Sequence, residues 1–135
     1  MSHISRESGP VFFRALSWNA VFSIACGLIM VLAPSSVAAW LGWGHSAVIV
    51  GIGVFLVLFA ARLFLAVRSG QLFRWEAQAI VAGDAGWVVG SVLLVALFHT
   101  RFSTTGVLLV LGTALVVGCL AAVQMAGMRR SSPVT

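Results

Sequence analysis

The chain has 135 residues, 61% of them hydrophobic and 8% charged, with a mean hydropathy of +1.10. A soluble domain carries about 25% charged residues, so this composition lacks the polar surface needed to cover a water-soluble globule. All eight basic residues are arginine and the acids are Glu7, Glu76 and Asp84; the arginines flank apolar runs and form no basic stripe, which excludes a nucleic-acid partner.

The length suits one domain, 1–135, and four apolar runs fill most of it. The first runs from about Ala15 to Ala33 and stops at Pro34. A small-residue triplet, Ser36-Val37-Ala38, resembles a signal-peptidase site, but this run exceeds the usual h-region and Asn19 interrupts it, so a retained span is expected. Ser35 to Trp43 follows as an interfacial segment, with Ser35 and Ser36 able to cap a short helix and Trp40 and Trp43 suited to the headgroup level. The second run covers about Ala47 to Val67, and Ser69-Gly70-Gln71 reads as a tight polar turn. The third covers about Ala77 to Phe98, His99-Thr100-Arg101 is a second turn, and the fourth covers about Thr105 to Ala126. Each run is near the ~20 residues that cross a ~30 Å hydrocarbon core. None alternates as a barrel strand does, and an open strand edge is not tolerated in lipid. The expected fold is all-α, an integral membrane four-helix bundle with short loops.

Arginine placement gives a direction. Arg6, Arg14, Arg68, Arg74, Arg129 and Arg130 lie on the side of the two termini, against Arg101 alone on the other. Positive charge stays inside, so both termini are expected in the cytoplasm of a cell whose inner (plasma) membrane the chain crosses.

Each span carries one polar residue near its cytoplasmic end: Asn19, Arg62, Asp84 and Gln124. Helical rise sets Asn19 ~7.5 Å beyond Arg14, Arg62 ~9 Å before Arg68, Asp84 ~12 Å beyond Glu76 and Gln124 ~7.5 Å before Arg129. Four polar groups at one level in hydrocarbon, where a central charge costs ~2.5–3.5 kcal/mol, suggest one intramembrane cluster. Arg62 and Asp84 are expected to face each other, Asn19 or Gln124 supplying further donors and acceptors, with snorkelling to the headgroups as the alternative for Arg62. Such a cluster either fixes helix register or takes a ligand or proton at Asp84.

Small residues mark expected contact faces: Asn19, Ser23 and Gly27 on the first span, Gly86 and Gly90 on the third, and Ala114, Gly118, Ala122 and Ala126 on the fourth. Asn19-Ala20 followed by Gly27-Leu28 is echoed by Asp84-Ala85 followed by Ser91 and Leu93-Leu94, the pattern of a parallel repeat of two hairpins. His45 and His99 cap the outer ends of two spans but are too few for a haem or metal site, and His3 lies in an expected mobile tail. Cys26 and Cys119 sit inside apolar runs as packing thiols. No carboxylate pair, Ser-His-Asp order, HExxH, P-loop or Cys/His cluster is present, so no enzyme activity, cofactor or metal is expected.

Asn19-Ala20, Gly27-Leu28, Pro34, Leu41-Gly42 and Gly83-Asp84-Ala85-Gly86-Trp87-Val88 give the chain a resemblance to small four-helix inner-membrane proteins of bacteria. The resemblance implies the fold and its membrane, and no activity. Small multidrug-resistance transporters share the length and helix number, but they carry a carboxylate in the first span where this chain has Asn19. The expected function is a non-enzymatic accessory subunit or small-molecule binder, with a small homodimeric transporter using Asp84 as ion or proton site as the alternative. Its expected partners are the lipid bilayer and either a larger membrane complex or a second copy.

Overall fold

The computed structural model describes residues 2–131. Helix α1 spans Pro10–Leu32 and begins at a proline, whose missing N–H costs nothing in the first turn. Pro34 cannot continue it and instead opens the short helix α2, Pro34–Leu41. Gly42 ends α2 in the left-handed region at φ 73°, and a Cβ there would stand 2.8 Å from the Ser103 nitrogen. Helix α3, Ser46–Ser69, ends the same way at Gly70, φ 71°. Helix α4 covers Arg74–Phe98, a 3-10 turn covers His99–Arg101, and α5 runs Thr104–Arg130. The Ser103 hydroxyl caps α5 by accepting the Gly106 N–H at 2.9 Å.

Helices α1, α3, α4 and α5 are long and apolar enough to cross a membrane. Only 22–33% of each apolar window is buried within the protein, so most of their surface is left for lipid. This is a small, mostly helical protein of four packed spans with a bilayer as its solvent. The packing order differs from the chain order. Helix α1 is central, with α3 on one flank and α5 on the other, and α4 packs on α5. Helices α3 and α4, joined by one short connection, barely touch.

Close approach occurs where a side chain is missing. A Cβ on Gly27 would stand 2.9 Å from the Gly53 carbonyl oxygen, and one on Gly53 would stand 2.9 Å from that of Gly27. The α1–α3 crossing is thus backbone against backbone. Gly127 admits Phe12 of α1 in the same manner, its Cβ position lying 2.6 Å from the Phe12 nitrogen, and Gly106 admits the Leu41 carbonyl.

The expected contact faces on the third and fourth spans need correction. Among the described residues, nothing outside the helix lies within 4 Å of a Cβ placed on Gly86 or Gly90. They sit about 200° and 240° around α4 from the inward-facing Asp84, so they point out of the bundle. On α5, Ala114 is buried and Gly118 half-buried, while Ala122 and Ala126 are exposed. Steps of four residues drift about 40° each, carrying that ridge off the contact face. The buried face of α5 is Gly106, Ala114, Val117, Ala121, Gln124 and Gly127.

The terminal end also differs from expectation. His3–Ser5 is a strand, β1, paired antiparallel with β2, Gln71–Phe73, so that Ile4 faces Leu72. Both are buried with Phe12, Leu16, Leu63 and Ala77. The His3 ring packs at a tilt against Phe73, centroids 4.3 Å apart, and the Arg6 N–H donates to the Gly70 carbonyl at 2.9 Å, which removes both the tail and the isolated turn. At the water-facing end of the bundle, burying Ile4 and Leu72 is favourable, at ~1.5–3 kcal/mol per large apolar side chain.

Gly53→Leu is expected to destabilise the protein by ~1–3 kcal/mol, because the new side chain would have to displace backbone. Gly90→Leu is expected to leave stability unchanged. Thermal unfolding of both variants in one detergent checks the contrast.

Candidate intramembrane polar site

Spacing of four on α1 puts Asn19, Ser23 and Gly27 on one ridge, and all three are turned inward. Gly27 lets α3 approach, and Asn19 and Ser23 meet no lipid. The Asn19 Nδ2 donates to Asp84 Oδ2 of α4 at 2.7 Å, and the Ser23 hydroxyl donates to Asn19 Oδ1 at 3.1 Å. Asn19 is 1% exposed and Asp84 5%. The result is a buried chain, Ser23 to Asn19 to Asp84, tying α1 to α4. Its last link ends on a carboxylate, and charge-assisted hydrogen bonds of this kind are short and strong.

Arg62 does not face Asp84. Its guanidinium donates to Glu76 Oε1 in the first turn of α4, with the two side chains 50% and 19% exposed. The reason is depth. Glu76 lies eight residues, ~12 Å, nearer the termini than Asp84, and a long arginine side chain lowers its energy by reaching towards the polar boundary. The ion pair spans the side of the bundle where α3 and α4 fail to pack. Glu76 is the functional-site neighbour that sequence reasoning missed. The signal was an acid at the start of α4 within arginine reach of the preceding helix.

Gln124 is 0% exposed, and neither its Oε1 nor its Nε2 has a hydrogen-bond partner among the described residues. The antiparallel register set by Gly127 against Phe12 places Gln124 beside Ala15 and Leu16, about one turn, ~5 Å, from the Asn19 level. The indole Nε1 of Trp87, one turn beyond Asp84 on α4, is likewise buried with no partner among the described residues. The structure therefore joins Asn19, Ser23 and Asp84 directly, sets Gln124 one turn away, and removes Arg62 to a separate pair. Among the described residues no three metal-ligating side chains cluster.

The site contains one carboxylate, two amides and a hydroxyl, with no cation bonded to the carboxylate among the described residues. It can accept hydrogen bonds or positive charge from something small. No family model matches this chain, and no curated protein or solved structure matches it either.

Double-mutant cycles separate the two pairs. Asn19→Ala with Asp84→Ala is expected to show a coupling of ~1 kcal/mol, between the ~0.6 average and ~1.7 maximum of interhelical hydrogen bonds in membranes. Arg62→Ala with Asp84→Ala is expected to show none. Unfolding free energies in mixed micelles supply the measurement.

Proposed function

We propose that the protein is a non-enzymatic membrane protein that binds a small molecule, acting alone or as an accessory subunit, with Asn19, Ser23, Asp84 and Gln124 as its binding residues. The observation that supports this is the carboxylate of Asp84, buried between α1 and α4 while the nearest intramembrane arginine is engaged by Glu76. An intramembrane acid without a fixed counter-charge suits a ligand that brings positive charge or a proton. The unpartnered amide of Gln124 adds both a donor and an acceptor one turn away. The second reading is a small homodimeric transporter in which Asp84 is the ion or proton site, favoured by the same lack of counter-charge. The chain is proposed to lie in the inner (plasma) membrane of a bacterium.

Dicyclohexylcarbodiimide, an apolar reagent for membrane carboxyl groups, tests the site. Labelling of the purified protein at Asp84, read by peptide mass spectrometry, is expected to fall when sodium or n-butylammonium chloride is added. Labelling that neither cation changes would count against a cation-recognising site. Proteoliposomes that also move either cation in an Asp84-dependent way would favour the transporter.

The proposed orientation places both termini in the cytoplasm, as the arginine asymmetry supports. Single cysteines introduced at Gln71 and Gly44 in a variant lacking Cys26 and Cys119 report the sidedness. An impermeant maleimide applied to intact cells is expected to label position 44 and spare position 71; the reverse would invert the orientation.

A further inference from the structure

We propose that the outer seam between α4 and α5 binds one acyl chain of an anionic phospholipid, with the lipid phosphate at Arg129. A depression of about 440 Å³ runs along this seam, lined by Val81, Ala85, Val88, Gly118, Ala122 and, at its terminal end, Arg129. Asp84 turns inward to α1, so α4 meets α5 along its inner flank. Small residues on the outer flank leave the seam hollow. A Cβ on Gly118 would rest 3.6 Å from Val88 Cγ2, an ordinary contact, so the floor is closed and the hollow lies above it. Ala122 and Ala126, both exposed, form its wall.

Size selects the occupant. From Arg129 to Gly118 is eleven residues, ~17 Å along the helix and close to the ~15 Å hydrocarbon depth of one leaflet, and a second depression of about 410 Å³ continues the seam past Gly118 along Val92, Leu111 and Ala114. The volume spread over that length gives a cross-section on the order of 30 Å², wide enough for one extended hydrocarbon chain.

Charge selects the headgroup. Arg62 is engaged by Glu76, and Arg74 donates to the Met128 and Ser131 carbonyls. Arg129 is exposed at the mouth of the seam, with no ion pair or hydrogen bond among the described residues, and no acidic residue lines the slot. An arginine at the terminal end of an apolar slot matches a phosphate above its acyl chain.

Native mass spectrometry of the full chain, released from micelles containing dioleoylphosphatidylglycerol or dioleoylphosphatidylcholine, tests the assignment. One phosphatidylglycerol is expected to stay bound in preference to phosphatidylcholine. Arg129→Gln is expected to weaken it ~5-fold, the worth of one basic residue at an anionic surface, and Arg129→Lys to retain it. Ala122→Leu, which fills the slot from an exposed position, is expected to abolish retention. Equal retention of both lipids, or undiminished phosphatidylglycerol binding in Ala122→Leu, would overturn the proposal. So would a two-copy mass that Ala122→Leu reduces to one, since the seam would then be a subunit interface. Should Ala122→Leu fail to fold, the Gln and Lys variants of Arg129 still decide, because equal binding by the two refutes a phosphate contact.

Discussion

A carboxylate inside a membrane must be satisfied by the protein, and the hydrogen bond from Asn19 to Asp84 is the constraint on which this arrangement turns. An ionised group at mid-helix costs ~2.5–3.5 kcal/mol on insertion scales, so Asp84 cannot face acyl chains without loss. Helix α4 is therefore rotated to present Asp84 to α1, although its main packing partner is α5. That rotation has two consequences. Gly86 and Gly90 are turned away from the bundle, and the α4–α5 contact is confined to one flank, leaving the outer seam hollow. One polar contact thus sets which residues of the third span meet protein and which meet lipid.

The remaining helix contacts use a different force. Lipid tails are as apolar as leucine, so burial alone gives no drive for helices to associate, and close packing must supply it. The tight approaches between spans involve α1 or the short helix α2: Gly27 with Gly53, Gly127 with Phe12, Gly106 with Leu41. At the terminal end, where water returns, hydrophobic burial operates again. There Ile4 and Leu72 pair across a two-stranded ribbon and seal the apolar cluster around Phe12 and Leu16. Asn19 and Asp84 lie deeper than this plug. A ligand reaching them from the terminal side must displace the ribbon or pass beside the Arg62–Glu76 pair, where α3 and α4 are not packed.

Run length and the arginine and proline positions made the four helices legible, and Pro34 with Trp40 and Trp43 made α2 legible, because bilayer thickness and proline stereochemistry act on the chain locally. The level of the polar residues was also readable, since helical rise is fixed. What was not readable was azimuth. Depth matched Arg62 with Asp84, but Arg62 had a shallower acid within reach, and an arginine side chain is long enough to choose by energy instead of by level. The ridge Ala114–Gly118–Ala122–Ala126 turns inward at Ala114 and Gly118 but not at Ala122 and Ala126, because a four-residue step rotates steadily away from the inward face that Gln124 and Gly127 share. The strand at His3–Ser5 was invisible because three residues carry no periodicity, and only its partner at Gln71–Phe73 gives Ile4 somewhere to be buried.

The polar level can be weighed between a structural and a binding role by asking what each residue is needed for. Ser23, Asn19 and Asp84 form a chain of donors and acceptors that pins α4 to α1, and a structural role accounts for that bonding. It does not account for Gln124. A buried amide with no partner forfeits ~1–3 kcal/mol of hydration, and leucine at that position would fill similar space without that loss. Nor does it account for an acid where an amide would serve: asparagine at position 84 could accept the same hydrogen bond without the cost of burying a charge. Retaining both a bare amide and a charge-capable acid within the same buried layer is costly for a scaffold. The same pair is what a site needs if it is to take a small positively charged group or a proton out of the membrane interior.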